Sequence, residues 1–295
     1  MNRVLILGGT KYFGKKLVQL LLDKDIEVTI ATRGKEKDEF GNRVNRLIID
    51  RMSRESQIEA FKDKSWDVVF DQTCYSPQEV KDTVEALNGN VKRYIFTSTQ
   101  AVYDFGLDHK EEDFNPYHFQ FEYKTRMEYP GIYGYQEAKR AAEAVLFAQA
   151  DLEVVAVRFP MVVSKDDYTE RLKFHVDKVL KGEPIGIPDM KVGFSFILAD
   201  EAAQFLFGIA QSSFTGPINP GSKGSMSLEE IITKIERVAE KSAIIEKELT
   251  KENASPYGMP GTFETNTEKA LSLGFKFSDL NEMIDELITY YVKNK

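Results

Sequence analysis

The chain has 295 residues, of which 42% are hydrophobic and 29% charged, and it carries a formal net charge of −8. This is the balance of a globular protein with room for one large domain or two coupled lobes, and an acidic chain with no long basic run argues against a nucleic-acid partner. The single cysteine, Cys74, excludes an internal disulfide and suits a reducing cytoplasm, and no apolar run approaches a membrane span.

Met-Asn-Arg leads into the apolar run Val4 to Leu7, so no signal peptide is expected. The run enters Gly8-Gly9-Thr10-Lys11-Tyr12-Phe13-Gly14, after which Leu17, Leu20 and Leu21 share one helix face. Strand, glycine turn and helix form the first half of a nucleotide-binding βαβ unit. Glycine lets the backbone approach a diphosphate, and the free N–H groups of the helix start face the anion. A glycine turn joining any buried strand to any helix would look the same.

Glu27 to Thr32 predicts strand two, closed by Arg33-Gly34-Lys35. That strand end meets the adenosine ribose in dinucleotide folds, where a basic residue accommodates the 2′-phosphate of NADP and an acidic one prefers NAD. Arg33, with Lys11, Lys35 and Lys37 nearby, therefore favours NADP slightly over NAD; a solvated basic turn is the plain alternative. Arg46 to Asp50 predicts strand three, with Asp50 and Arg51 at the adenine end. A helix near 55–62 and the buried strand Trp66 to Asp71 follow. That strand delivers Gln72, Thr73, Cys74 and Tyr75 to the cleft wall, with Cys74 expected as a packing residue.

Tyr94 to Thr97 predicts strand five, followed by Ser98-Thr99-Gln100-Ala101-Val102-Tyr103. Residues 104–132 are irregular and dense in aromatics, which suits either a lid or a loop packed onto the domain. The helix Gly134 to Gln149 carries Tyr135 and Lys139, four residues apart and so on one face. Glu153 to Arg158 predicts strand six and ends in Phe159-Pro160. Six strands alternating with helices or connections predict an α/β fold, a Rossmann-type doubly wound parallel sheet. Beyond it come helices near 170–181, 200–210, 228–240 and 280–293, a strand near 193–198 and a turn-rich loop at 216–224. We expect a dinucleotide-binding domain over 1–163 and a smaller C-terminal α/β substrate lobe over 164–295, with about 193–215 packing back on the first. His109, His118 and His175 lack metal-ligand spacing, so no metal is expected.

Six stretches, GGTKYFG, TSTQAVY, YQEAK, RFP, ADEAA and NTEKALSLGF, occur in an order and spacing that resemble the extended short-chain dehydrogenase/reductases, the NAD-dependent epimerase/dehydratase-like family. The resemblance implies that Thr99 holds the substrate oxygen, that Tyr135 is the acid–base group, and that Lys139 favours its phenolate and grips the nicotinamide ribose. It implies a cofactor, NADP or NAD, held by Gly8, Gly9, Thr10, Lys11, Tyr12, Phe13, Gly14, Arg33, Asp50, Arg51, Thr73, Lys139 and Pro160. The expected activity is that of an oxidoreductase, epimerase or dehydratase acting on a hydroxyl or carbonyl of a small polar substrate, with a sugar nucleotide as one candidate. No membrane or nucleic-acid partner is expected, and a homodimer stands open. Lys11 replaces the middle glycine, as in an atypical branch that includes plant chloroplast stem-loop-binding proteins. Pro160-Met161 and Gly193 to Phe196 replace two usual grips on a nucleoside diphosphate. The alternative is a non-catalytic dinucleotide-sensing or RNA-associated protein of the same fold.

Overall fold

The structure, a computed structural model, describes residues 1–294. In chain order the strands are β1 (Arg3–Leu7), β2 (Glu27–Thr32), β3 (Asn45–Ile48), β4 (Trp66–Asp71), β5 (Val91–Thr99), β6 (Gly106–His109), β7 (Glu153–Phe159), β8 (Met161–Val163), β9 (Pro184–Gly186), β10 (Gly193–Phe194), β11 (Phe196–Leu198), β12 (Gly216–Ile218), β13 (Met226–Ser227), β14 (Ile244–Glu246) and β15 (Phe263–Thr265). The helices are α1 (Tyr12–Leu22), α2 (Arg54–Phe61), α3 (Pro77–Leu87), α4 (Gly131–Phe147), α5 (Arg171–Lys181), α6 (Ala199–Gln211), α7 (Leu228–Ala239), α8 (Glu268–Ser272) and α9 (Leu280–Lys293). The chain divides into two compact units. The first comprises Met1–Val102, Glu111–Phe159 and Asp200–Pro220; the second comprises Tyr103–Lys110, Pro160–Ala199 and the chain from Gly221 on.

The first unit holds a seven-stranded parallel sheet in the order β12-β7-β5-β4-β1-β2-β3. Its α/β Rossmann-type order matches the sequence expectation. Central strands are apolar on both faces because helices cover both: Leu5, Leu7, Val69, Phe96 and Ala156 join Ala142, Val145 and Leu146 of α4 in the core. The chain runs β1, β2, β3 to one side and β4, β5 to the other. The direction therefore reverses between β1 and β4, where Leu7 pairs with Asp71. In such sheets a ligand sits at the carboxyl ends beside that reversal.

Three expectations change. The seventh strand, Gly216–Ile218, lies in the stretch read as a turn-rich loop and pairs with β7. Three residues carry no periodicity, and Pro217 is tolerated because the strand is at the sheet edge. The stretch 193–198 breaks at Ser195 into β10 and β11, which belong to different sheets. The aromatic stretch 104–132 contains β6, and packing claims several of its rings: Phe114 lies 5.1 Å under the Arg158 guanidinium and Tyr117 5.0 Å from Phe147.

In the second unit α5, α7 and α9 pack on one another. A capping box between Ser227 and Glu230 starts α7, and Asp279 caps α9. His175 of α5 is fully buried, 5.2 Å from the Tyr257 ring. Its Nδ1–H donates to the Arg171 carbonyl at 2.8 Å, and its Nε2 accepts from the Ser255 hydroxyl at 2.7 Å. Burial pushes the imidazole down to about 4 from 6.5. The unfolded chain then binds a proton below about pH 6.5 that the folded chain refuses until about pH 4. The contribution of this group is complete above pH 6.5 and is lost as pH falls towards 4, on the order of 3 kcal/mol. Urea unfolding of the parent and a His175→Phe variant at pH 7.5 and 4.5 should show the parent losing the larger share of its own stability.

Candidate active site

The glycine turn is built by conformational need. Gly9 has φ +86°, and a Cβ there would lie 3.0 Å from both Ile6 Cγ2 and Val18 Cγ2. Gly14 sits in the first turn of α1, where a Cβ would meet the Gln72 side-chain oxygen at 2.2 Å. Lys11 is the N-cap of α1, and no side chain caps that helix or places an acid in its first turn. The N–H groups of the helix start thus have no internal anion, which suits a diphosphate. Lys11 is engaged at its own end by Glu36, at 2.8 Å, and this pair lowers the Glu36 carboxyl. Phe13 packs 5.4 Å from Phe159 and 5.7 Å from Tyr12.

At the end of β2, Arg33 is exposed. Asp50 is exposed too, its Oδ1 accepting from the Met52 amide at 2.9 Å. Arg51, expected as a cofactor contact, has its guanidinium turned inwards, 9% exposed, onto Asp71 and Glu79. Burial opposes that charge, but Asp71 beside it holds the guanidinium protonated well above its ordinary range. Arg51 also donates to the Thr73 hydroxyl at 3.1 Å. Asp71, fully buried, further accepts from the Tyr94 hydroxyl and from the amides of Thr73 and Cys74, at 3.2 and 3.1 Å. Burial pushes the Cys74 thiol up to about 12, which leaves it an inert packing group.

Thr99 ends β5, and its hydroxyl accepts from the Ala101 amide at 3.2 Å. Tyr135 and Lys139 stand on one face of α4. The Lys139 ammonium is 5% exposed as a residue and donates to the carbonyls of Cys74 and Thr97, each at 2.8 Å, 4.5 Å above the Phe96 ring. Two of its three protons are thereby used and one is left. The Tyr135 ring packs 5.3 Å from Tyr75. Sequence reading missed what holds Tyr75. Arg126 lies 5.6 Å over its ring and is locked to the buried Glu79 carboxylate at 2.5 and 2.7 Å, and Glu79 also accepts the Tyr75 amide at 3.0 Å. Only contact across the fold reveals that set, because Arg126 and Glu79 are far apart in the chain. Pro160 belongs to the second unit, where Gly221 approaches its ring.

Comparison with known proteins gives the family and the fold. The model of the NAD dependent epimerase/dehydratase family matches residues 4–219. The chain is 32% identical over 128 residues to the chloroplast stem-loop binding protein of 41 kDa b of Arabidopsis thaliana. That match covers 38% of this chain and only 33% of the relative's length. A UDP-glucuronic acid 4-epimerase from Bacillus cereus, solved with UDP-glucuronic acid and NAD, superposes with a TM-score of 0.76 at 16% identity over 99% of both chains. The Thermus thermophilus UDP-glucose 4-epimerase with NAD gives 0.73 at 17% over 98% of both. The Bacillus anthracis dTDP-glucose 4,6-dehydratase with NAD gives 0.75 at 15%, over 100% of this chain and 97% of that one. At such identities these structures establish the fold.

The turn predicts an order of damage. Gly9→Ala meets both a strained φ and two buried methyls, and should cost about 2–4 kcal/mol. Gly14→Ala carries no positive φ and meets the end of the Gln72 side chain at 2.2 Å and the Gly9 Cα at 3.3 Å, so it should cost less than Gly9→Ala. Thermal or urea unfolding of the two variants checks this, and an inverted order would refute it.

Proposed function

The chain belongs to the NAD dependent epimerase/dehydratase family, and on that premise we propose a nicotinamide-dinucleotide-dependent oxidoreductase, epimerase or dehydratase acting on a hydroxyl or carbonyl of a small polar substrate. A sugar nucleotide is the specific candidate, in line with the UDP-sugar acid bound to the Bacillus cereus neighbour. The observation that supports this most is Lys139, whose ammonium is fixed by two carbonyls one helical turn from Tyr135 and beside the strand that ends at Thr99.

In this reading Tyr135 exchanges a proton with the substrate oxygen, Thr99 holds that oxygen by a hydrogen bond, and the remaining Lys139 proton serves the tyrosine and the nicotinamide ribose. The dinucleotide, when bound, supplies a hydride acceptor or donor. The Gly8 to Gly14 turn takes its diphosphate, Asp50 its adenine amine, and Arg33 with Lys35 its ribose end. No helix among the described residues is long and apolar enough to cross a membrane.

We infer a preference for NADP over NAD. Arg33 is exposed at the ribose end, whereas Lys11 is already neutralised by Glu36. A charge-assisted pair with the 2′-phosphate contributes roughly 1.5–3 kcal/mol, about tenfold to a hundredfold in affinity. Arg33→Ala should erase most of that preference in calorimetric titrations, and equal affinity of the parent for both cofactors would refute it. A dinucleotide-sensing or RNA-associated protein is the second reading, favoured by the Arabidopsis relative. RNA binding that weakens steeply with salt, without turnover, would support it.

The central test is Tyr135→Phe, which keeps the ring and removes the atom that exchanges the proton. Turnover should fall at least ~10²-fold while dinucleotide affinity changes little. The substrate for that assay comes from mass spectrometry of ligands that co-purify with the protein. A Tyr135→Phe variant with parental turnover would sink the mechanism.

A further inference from the structure

We propose that Tyr75 is a positioning residue for Tyr135: held by Glu79 and Arg126, its ring sets the orientation of the Tyr135 phenol for the proposed proton exchange. The inference rests on the reading of Tyr135 as the acid–base group. Both tyrosines are half-buried. The Tyr135 hydroxyl has no hydrogen-bond partner among the described residues. No polar contact of the protein therefore fixes the direction of that side chain, and packing must choose among its staggered rotamers. The aromatic contact it makes is with Tyr75, ring centroid to ring centroid 5.3 Å at an interplanar angle of 53°. A tilted pair at that distance lies in the range where ring edges and faces attract.

A wall orients its neighbour only if it is itself held, and Tyr75 is held by charge. Its amide donates to Glu79 Oε2 at 3.0 Å, and the Arg126 guanidinium lies 5.6 Å from its ring centroid. Nε and Nη2 of Arg126 donate to the two oxygens of Glu79, at 2.5 and 2.7 Å. A bidentate pair of this kind fixes the plane of the guanidinium as well as its distance. Glu79 is buried in the first turn of α3 and lies 3.3 Å from Arg51 Nε, and Arg51 pairs in turn with Asp71. Asp71, Arg51, Glu79 and Arg126 thus alternate in sign, and their charges balance only with Arg126 included. Arg126, 38% exposed, is the end of that chain and the member that meets the Tyr75 ring. The Tyr75 hydroxyl reaches the Tyr129 carbonyl at 3.5 Å. Burial, followed by the neighbouring Tyr135, raises the Tyr75 phenol above its ordinary range. Tyr75 is thereby kept neutral and acts through its ring, not as a second base.

The test labels the protein with fluorotyrosine and reads the transverse fluorine relaxation of Tyr135, whose signal is assigned by its loss in Tyr135→Phe. Tyr133, exposed on the same helix and assigned in the same way, supplies the rate of a ring that nothing holds. In Tyr75→Ala the Tyr135 rate should fall to that of Tyr133, because a released ring moves on the ps–ns scale. Tyr75→Phe, which restores the ring, should recover the parental rate. Arg126→Lys keeps the charge but loses the planar fork, and should lie between. With UDP-glucuronic acid and NAD+ as probes, kcat of Tyr75→Ala should fall about tenfold, between a roughly threefold dilution over three rotamers and the ~10²-fold of a 1 Å misplacement. KM and calorimetric NAD+ affinity should not change; a merely structural tyrosine would not separate kcat from them. Parental Tyr135 relaxation in Tyr75→Ala overturns the proposal. Tyr75→Phe as impaired as Tyr75→Ala assigns the effect to the hydroxyl and overturns it too, and parental relaxation in Arg126→Lys overturns the clamp. If Tyr75→Ala does not fold, Tyr75→Leu fills the space without an aromatic face and carries the same comparison. A parent inactive on the probe counts against the sugar-nucleotide reading alone, and Tyr135→Phe with parental turnover against Tyr135 as the acid–base group. In both cases the relaxation rates still decide whether Tyr75 holds Tyr135.

Discussion

The candidate site depends on one buried carboxylate. Asp71 ends β4 inside the protein and accepts from Arg51, the Tyr94 hydroxyl and the amides of Thr73 and Cys74. An ionised carboxylate taken out of water is tolerable only when its lone pairs are filled, and here they are filled from three separate segments. The consequence is geometric. The chain after β3 is tied to the end of β4, and the first residues past β4 are folded back over the carboxylate. Gln72 then faces the glycine turn and the Cys74 carbonyl faces Lys139. Removing one partner would leave an unbalanced buried charge, at roughly 3–5 kcal/mol. The wall that meets the turn is therefore stiff.

A second buried ion pair sets the helix of the proposed chemistry. Glu143 of α4 and Arg158 of β7 are both fully buried, 2.7 Å apart, and Glu143 also accepts from the Ser98 hydroxyl at 2.5 Å. Arg158 reaches on to the carbonyls of Glu111 and Phe114, at 2.8 and 3.0 Å. Glu143 stands one turn beyond Lys139, so α4 is pinned at two successive turns, by Lys139 to the carbonyls of Cys74 and Thr97 and by Glu143 to β5 and β7. Rotation of the helix about its axis would break both sets at once. The position of Tyr135 one turn before Lys139 is thereby fixed by charges it does not touch.

What was legible in the sequence was what repeats locally. Val4 to Leu7 followed by glycines and a leucine face announces strand, turn and helix. Tyr135 and Lys139 announce a shared face because the helical period is local. β2 and β4 were readable to the residue, since an apolar, β-branched run bounded by charges needs no partner to be recognised. What was not legible depends on the fold. Gly216–Ile218 is a strand only because β7 has a free edge, and Arg51 reads as an adenine-side cation until Asp71 is found beneath it. Gln72 reads in the sequence only as part of a cleft wall; that its side-chain oxygen lies against Gly14, far before it in the chain, is visible only in the fold.

The departure of the turn from the commoner glycine pattern has a local explanation that bears on the choice between enzyme and binding module. Lys11 stands at the middle glycine position, yet its backbone has φ −133° and ψ 154°, extended geometry that any residue adopts. Glycine is needed at Gly8 and Gly9, with φ of +113° and +86°, and at Gly14, where a Cβ would strike Gln72. Those three are kept. A side chain at position 11 that is itself exposed and paired with Glu36 places no side-chain cap on α1. The substitution thus alters the rim of the turn and not the surface a diphosphate would rest on. An atypical glycine count is in this chain no argument against a competent dinucleotide site, and the weight of the binding-module reading passes from the turn to whatever faces the far end of Tyr135.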